Sequence, residues 1–293
     1  MPAASRPPAT TAFFLHLPKT GGTSLRKMLE SAVGRRNVLG IYDWDTEQAM
    51  LRADREVFEA YRLVVGHFRI AMWLRTPDLP LITVLREPVE RVASHYRYAR
   101  SWDKDRFHAE AQRLTLVEFA LADLGRALNN CQTHNLSSAD APMTSDEIRA
   151  HPPYGGLTAT HADEAVRHLE HPSVLPGLHE AFAESVALAS VWLDIEPPAI
   201  VEANRSPDRA GDRLDPTERA AIAERNALDV RVYDAAREAF WDKWRAAGVD
   251  ATRALERVQG ARRRATRLKT WQETRLRQAK QTARRVFQRS NVR

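Results

Sequence analysis

The stretch FFLHLPKTGGTS, Phe13 to Ser24, constrains the fold of this chain more than any other. An apolar run of strand length ends at Pro18. Two glycines then lead into residues 22–33, where Leu25, Met28 and Leu29 recur at helical spacing. A strand that turns through glycines straight into a helix leaves backbone N–H groups unpaired at the positive end of the helix dipole. Gly21 and Gly22 let the main chain approach a ligand closely. Lys19 adds a point charge, and Thr20, Thr23 and Ser24 add hydroxyl donors. An ordinary strand-to-helix turn needs neither a lysine nor three hydroxyls, so the loop reads as one built to hold an anion.

Further short apolar runs follow at 38–42, 62–65 and 81–85, each bounded by turn signals. Pro88 stands where a first helical residue tolerates proline, and a helix is predicted from there toward Arg100. Strands alternating with helices predict an α/β three-layer fold around a central, mostly parallel sheet. The second half reads as mainly helical, with helices expected at 116–128, 161–171 and 177–193. A capping box, Asp215 to Glu218, opens another that runs toward Tyr233. Residues 1–11 read as a disordered lead, and 139–156 and 197–213 as loops rich in Pro, Gly, Asp and Ser.

The 293 residues suit one substantial core. A single cysteine, Cys131, excludes an internal disulfide framework and reads as a small buried apolar residue in a reducing compartment. No run approaches a membrane span, and the first residues lack the pattern of a signal peptide. The net charge of +6 is unevenly divided. From Arg253 to Arg293 there are 14 Lys and Arg against Glu256 and Glu273, a net of +12. Taking these from the totals of 44 basic and 38 acidic residues leaves 30 against 36, so the first 252 residues stand at −6. The body is mildly acidic, and an anion site within it must be local. The expected organisation is a catalytic domain over 12–248 and a basic helical tail over 249–293.

A nucleoside-triphosphate loop needs G-x-x-x-x-G-K-[ST], with the lysine after the second glycine. Here the lysine precedes both glycines. No apolar strand ends in an aspartate of the kind that holds Mg²⁺ in such enzymes. A terminal sulfuryl group, less negative than a phosphoryl group, suits such a loop.

HLPKTGGTSL resembles the 5′-phosphosulfate-binding loop of sulfotransferases that use 3′-phosphoadenosine 5′-phosphosulfate (PAPS), in particular the heparan/uronyl 2-O-sulfotransferase-like group and its bacterial relatives. ITVLREPVERVASHY, residues 82–96, is similar to the strand–Arg–helix–Ser segment that holds the 3′-phosphate in that family. The resemblance implies Lys19, Thr20, Gly21, Gly22, Thr23, Ser24, Arg86 and Ser94 as cofactor-binding residues. A guanidinium can grip a phosphate bidentately, although Arg86 could instead pair with Glu87 or Glu90. Arg91 reads as part of a solvated helix face, with contact to the phosphate as the alternative. In LVVGHFRIAM, Gly66 and His67 fall at the end of a strand, and the resemblance implies that His67 is the general base, with Lys19 beside it in catalysis. Those 2-O-sulfotransferases often carry a further histidine just before the glycine; here Val65 stands there. None of the other histidines shows metal-ligand spacing. Asn130 and Gln132, in NNCQTHNLSS, either touch substrate or serve as loop hydrogen-bonding residues.

The implied fold is P-loop NTPase-like, of the sulfotransferase type. The implied activity is in-line transfer of a sulfuryl group from PAPS, without a metal, to a hydroxyl of a carbohydrate or glycolipid, in the cytoplasm. The basic tail leaves open contact with an anionic membrane surface, an acidic polysaccharide or nucleic acid, though no motif for specific nucleic-acid binding accompanies it. The competing readings are a P-loop kinase and a non-catalytic protein acting through that tail.

Overall fold

The computed structural model describes residues 11–125, 128–137, 156–198 and 213–290, with side chains as far as 264. The expected lead and the two expected loops lie almost wholly outside these residues. Five strands form one sheet: β1 Ala12–Leu15, β2 Val38–Ile41, β3 Leu63–Gly66, β4 Leu81–Leu85 and β5 Val174–Leu178. Their order is β2-β3-β1-β4-β5, and all four pairings are parallel. The expected α/β fold is present, and its sheet is parallel throughout.

Every residue of AFFL in β1, LVVG in β3 and LITVL in β4 is buried. Continuous apolar strands of this kind are what a parallel sheet with both faces covered requires. Phe13 packs its ring 5.4 Å from Phe58 and 6.0 Å from Phe68. The helix Gly22–Val33 buries Leu25, Met28 and Leu29, the stripe its spacing predicted, and also Val33. A second apolar cluster gathers Val92 and Tyr96 of the helix Pro88–Ser101 with Phe107, Phe119, Leu128 and Ile222.

β5 departs from the sequence expectation. Gly177 and Leu178, expected in a helix, complete this strand, and the following helix begins at Phe182. Pro176 is tolerated because β5 is the edge of the sheet, where a missing N–H donor costs least. The Ser185 hydroxyl fixes the strand's end, accepting from the Leu178 amide at 2.8 Å and donating to the Leu178 carbonyl at 3.0 Å. Two other helices are shorter than expected. One stops at Leu121, and the helix capped by Asp215 stops at Arg225. The final helix, Ala227–Ser290, bends at Gly248 (φ 53°, ψ −121°). It remains packed beyond that bend, for Ala251, Ala254 and Val258 are buried in the same core as β1 and β3.

Candidate active site

Four strands deliver polar side chains to the carboxyl edge of the sheet. β1 leads into His16 and Lys19, β3 into His67, β4 into Arg86 and β5 into His179. Parallel register aligns the strand ends, pairing Leu15 with Gly66 and Leu85 with Leu178. Ligands of open parallel sheets gather at this edge.

The expected anion loop turns on two left-handed residues, Lys19 (φ 68°) and Gly21 (φ 86°). Such a conformation is uncommon for a lysine. Gly21 is the helix N-cap, with no side chain capping the helix. The Ser24 amide donates to the Gly21 carbonyl at 3.0 Å. Among the described residues, no backbone acceptor meets the amides of Gly21, Gly22 or Thr23. The glycines also have a packing role that the sequence did not reveal. A Cβ on Gly21 would lie 2.7 Å from His179 Nδ1, and one on Gly22 would overlap the His16 ring. Thr20 differs from expectation as well. It is buried, and its hydroxyl donates to the Leu17 carbonyl at 3.0 Å, so it holds the turn rather than facing a ligand. Thr23 is half-buried and Ser24 buried.

Lys19 Nζ lies 3.4 Å from the centroid of the Tyr98 ring, a cation–π contact across to the helix Pro88–Ser101. Burial lowers its pKa to about 8, Arg86 and Arg91 push the same way, and Asp105 opposes them. An anion at the loop would favour the charged form. Ser94 is half-buried one helical turn before Tyr98.

Arg86 follows β4 directly. Its main chain is clamped by Gln132: the Arg86 amide donates to Oε1 and Nε2 donates to the Arg86 carbonyl, both at 2.9 Å. Its Nη1 donates to the Lys19 carbonyl at 3.3 Å, joining the two predicted anion-binding segments. The Nε is buried and has no hydrogen-bond partner among the described residues. Pairing with Glu87 or Glu90 is not what the side chain does. Glu87 caps its own helix by accepting from the Val89 and Glu90 amides, and both glutamates pair with Arg219. Desolvation is the main influence on Arg86 and lowers its pKa.

His67 Nδ1 lies 2.5 Å from the His16 carbonyl oxygen. A carbonyl can only accept, so Nδ1 carries the proton and Nε2 keeps its lone pair. The His67 ring stacks on His16 with centroids 4.4 Å apart, and Tyr42 stands across it at 5.3 Å and 84°. Although the residue is exposed at the cleft, desolvation by the protein around its ring lowers its pKa, and Arg26 lowers it further against the opposing bond to His16. His16 itself is buried, and burial with the nearby His67 and Arg26 lowers it to about 3, which keeps it neutral.

Arg91 is the clearest correction. It is not on a solvated face but fully buried, donating through Nη2 to the Leu128 carbonyl and lying 4.0 Å from Asp229. Asp229 accepts from the Thr133 amide at 2.7 Å and the Thr133 hydroxyl at 2.8 Å. Burial raises the Asp229 pKa, partly offset by Arg91. Asn130 belongs to this framework, its amide donating to Asn226 Oδ1 at 3.0 Å and its Oδ1 accepting from the Asp229 amide at 3.1 Å. Sequence reasoning thus missed His16, Tyr98 and His179 at the site; for Gln132 the structure shows the second of the two alternatives, hydrogen bonding to the chain, with Arg86 as the partner. The His16 signal was present, since it lies within the motif itself.

Among the described residues, no group of three or more His, Cys, Asp or Glu side chains converges as metal ligands would. Fold and site together define an α/β protein that gathers a glycine turn, Lys19, Arg86 and a histidine at the carboxyl edge of its parallel sheet. No protein-family model matches the chain, and no curated protein matches it. Among solved structures it is similar to a sulfotransferase from Alicyclobacillus acidocaldarius, with 18% identity and a TM-score of 0.43 over 83% of this chain and 100% of that one. It is also similar to mouse sulfotransferase SULT7A1 complexed with PAP, with 15% identity and a TM-score of 0.37 over 75% of this chain and 65% of that one.

Proposed function

We propose that this chain is a PAPS-dependent sulfotransferase that acts on a hydroxyl of a carbohydrate or glycolipid. The observation that carries the reading is the junction of its two anion-binding segments, where Arg86 Nη1 meets the Lys19 carbonyl beside the strand end that bears His67. The donor set suits a nucleotide with anionic groups at both ends. Among the described residues, the amides of Gly21, Gly22 and Thr23 lack backbone acceptors, and the buried Arg86 Nε lacks a partner.

In this reading the loop amides and Lys19 hold the 5′-phosphosulfate, while Arg86 and Ser94 hold the 3′-phosphate. PAPS, when bound, supplies a sulfuryl group on a phosphate leaving group. His67 Nε2 accepts the proton of the acceptor hydroxyl, with the bond from Nδ1 to the His16 carbonyl fixing the tautomer this requires. The lowered pKa of His67 favours the neutral base at neutral pH. Lys19 and the fixed amide dipoles stabilise negative charge without reorganising. A kinase reading suits the loop less well because its lysine precedes both glycines. The motif is nearest the 2-O-sulfotransferase-like group, with Val65 in place of that group's second histidine.

The test is incubation with PAPS and a panel of hydroxyl acceptors, following adenosine 3′,5′-bisphosphate and sulfate ester together. Equal, acceptor-dependent formation of both supports the reading. Phosphorylation of acceptors by ATP, with no ester from PAPS, contradicts it.

A further inference from the structure

We infer that the basic C-terminal helix docks this protein on a bilayer containing anionic lipid. The inference stands independently of the reaction assigned to the cleft. Thirteen of the 14 cations of 253–293 fall within a helix that runs from the Gly248 bend to Ser290, while the rest of the chain has the opposite net charge. The first turns after the bend are pinned to the body. Ala251, Ala254 and Val258 enter the core, and Arg257 pairs with Glu196 at 3.6 Å. The helix from residue 259 to Ser290 then extends roughly 48 Å at the ordinary rise per residue.

In the sequence beyond Val258, Ala261, Ala265 and Leu268, and again Leu276, Ala279 and Ala283, recur at three- and four-residue spacing on one helix face interrupted by Gln272, and lysines and arginines fill much of the remainder. This pairing of features selects the occupant. Nucleic acid or an acidic glycan needs the cations and has no use for an apolar stripe. A second copy of the chain would set two strongly positive helices side by side. An anionic bilayer uses both features, with the stripe in the acyl boundary and the cations among the phosphates. The region around the bend adds residue types that favour the membrane–water interface. Val249 is 60% exposed, Trp241 and Trp244 form a partly exposed pair at 6.2 Å, and Lys243 lies 5.3 Å over the ring of Trp192.

The test is co-sedimentation of the full-length protein with vesicles of phosphatidylcholine alone or mixed with phosphatidylglycerol, at about 0.1 M salt. The protein should bind only the mixed vesicles. Arg263→Gln, Arg267→Gln, Arg275→Gln and Arg284→Gln should each weaken binding about fivefold, and together several-hundredfold. Leu268→Ser with Leu276→Ser should weaken it about tenfold at unchanged charge. Circular dichroism checks that each variant keeps its helix. Equal binding to both vesicle types, no binding to either, or indifference to the leucine substitutions overturns the inference. So does capture by heparin or duplex DNA, or concentration-dependent dimerisation, without vesicle binding.

Discussion

Replacing Arg86 with alanine should weaken binding of adenosine 3′,5′-bisphosphate about 30- to 150-fold and leave binding of adenosine 5′-phosphate unchanged. The magnitude follows from what the side chain does. A hydrogen bond to a charged group is worth about 1.5–3 kcal/mol, and a net loss of about 2–3 kcal/mol for one guanidinium facing one phosphate corresponds to that range at 1.4 kcal/mol per factor of ten. The free protein should lose little. In it the guanidinium makes one long bond, 3.3 Å to the Lys19 carbonyl, while Gln132 holds the Arg86 backbone from both sides. Glu87 and Glu90 keep Arg219, so no carboxylate is abandoned. Titration calorimetry with the two nucleotides separates the 3′-phosphate from the rest of the ligand, and a thermal melt checks folding. Equal weakening of both ligands would mean that the substitution deforms the site. No change in either would place the 3′-phosphate elsewhere.

Lys19→Ala should lower turnover about 10²- to 10³-fold, the usual loss when one donor to a developing charge is removed, with the melting temperature nearly unchanged; turnover within a few-fold of wild type sinks its assigned role. The pH profile of kcat/KM for PAPS, which reports the enzyme free of nucleotide, should be bell-shaped. His67 acts when neutral, and its pKa is lowered from the ordinary 6.5, so the acid limb lies below pH 6.5; Lys19 acts when protonated, which sets the basic limb near pH 8. An acid limb above 6.5 contradicts this assignment, and His67→Ala should abolish transfer while nucleotide affinity persists. Gly66→Ala should destabilise the fold by about 1–3 kcal/mol in urea titration, because a Cβ there would fall on the Ile41 carbonyl, which accepts from the His67 amide. Unchanged stability would show that β2 gives way freely.

The parts of the site legible in the sequence are the local ones. A strand, a glycine turn and a helix written consecutively from Phe13 to Val33 fix their own geometry, and the same holds from Ile82 to Ser94. What the sequence concealed depends on partners distant along the chain. The burial of Arg91 is decided by Leu128 and Asp229, neither of which its own helix predicts. Gln132 matters only because folding brings it to Arg86 across 46 residues. The Thr20 hydroxyl looks like a ligand donor until the turn geometry hands it to Leu17. β5 was hidden by Pro176 and Gly177, which break a strand pattern unless the strand lies at an edge and packs against Ser185.

The central claim is that one nucleotide spans the Lys19 loop and Arg86, anchored at both ends. Calorimetry with adenosine 3′,5′-bisphosphate and with ATP, each with and without magnesium, tests it most directly. The bisphosphate should bind more tightly and do so without magnesium. Tighter binding of ATP that depends on magnesium would contradict it.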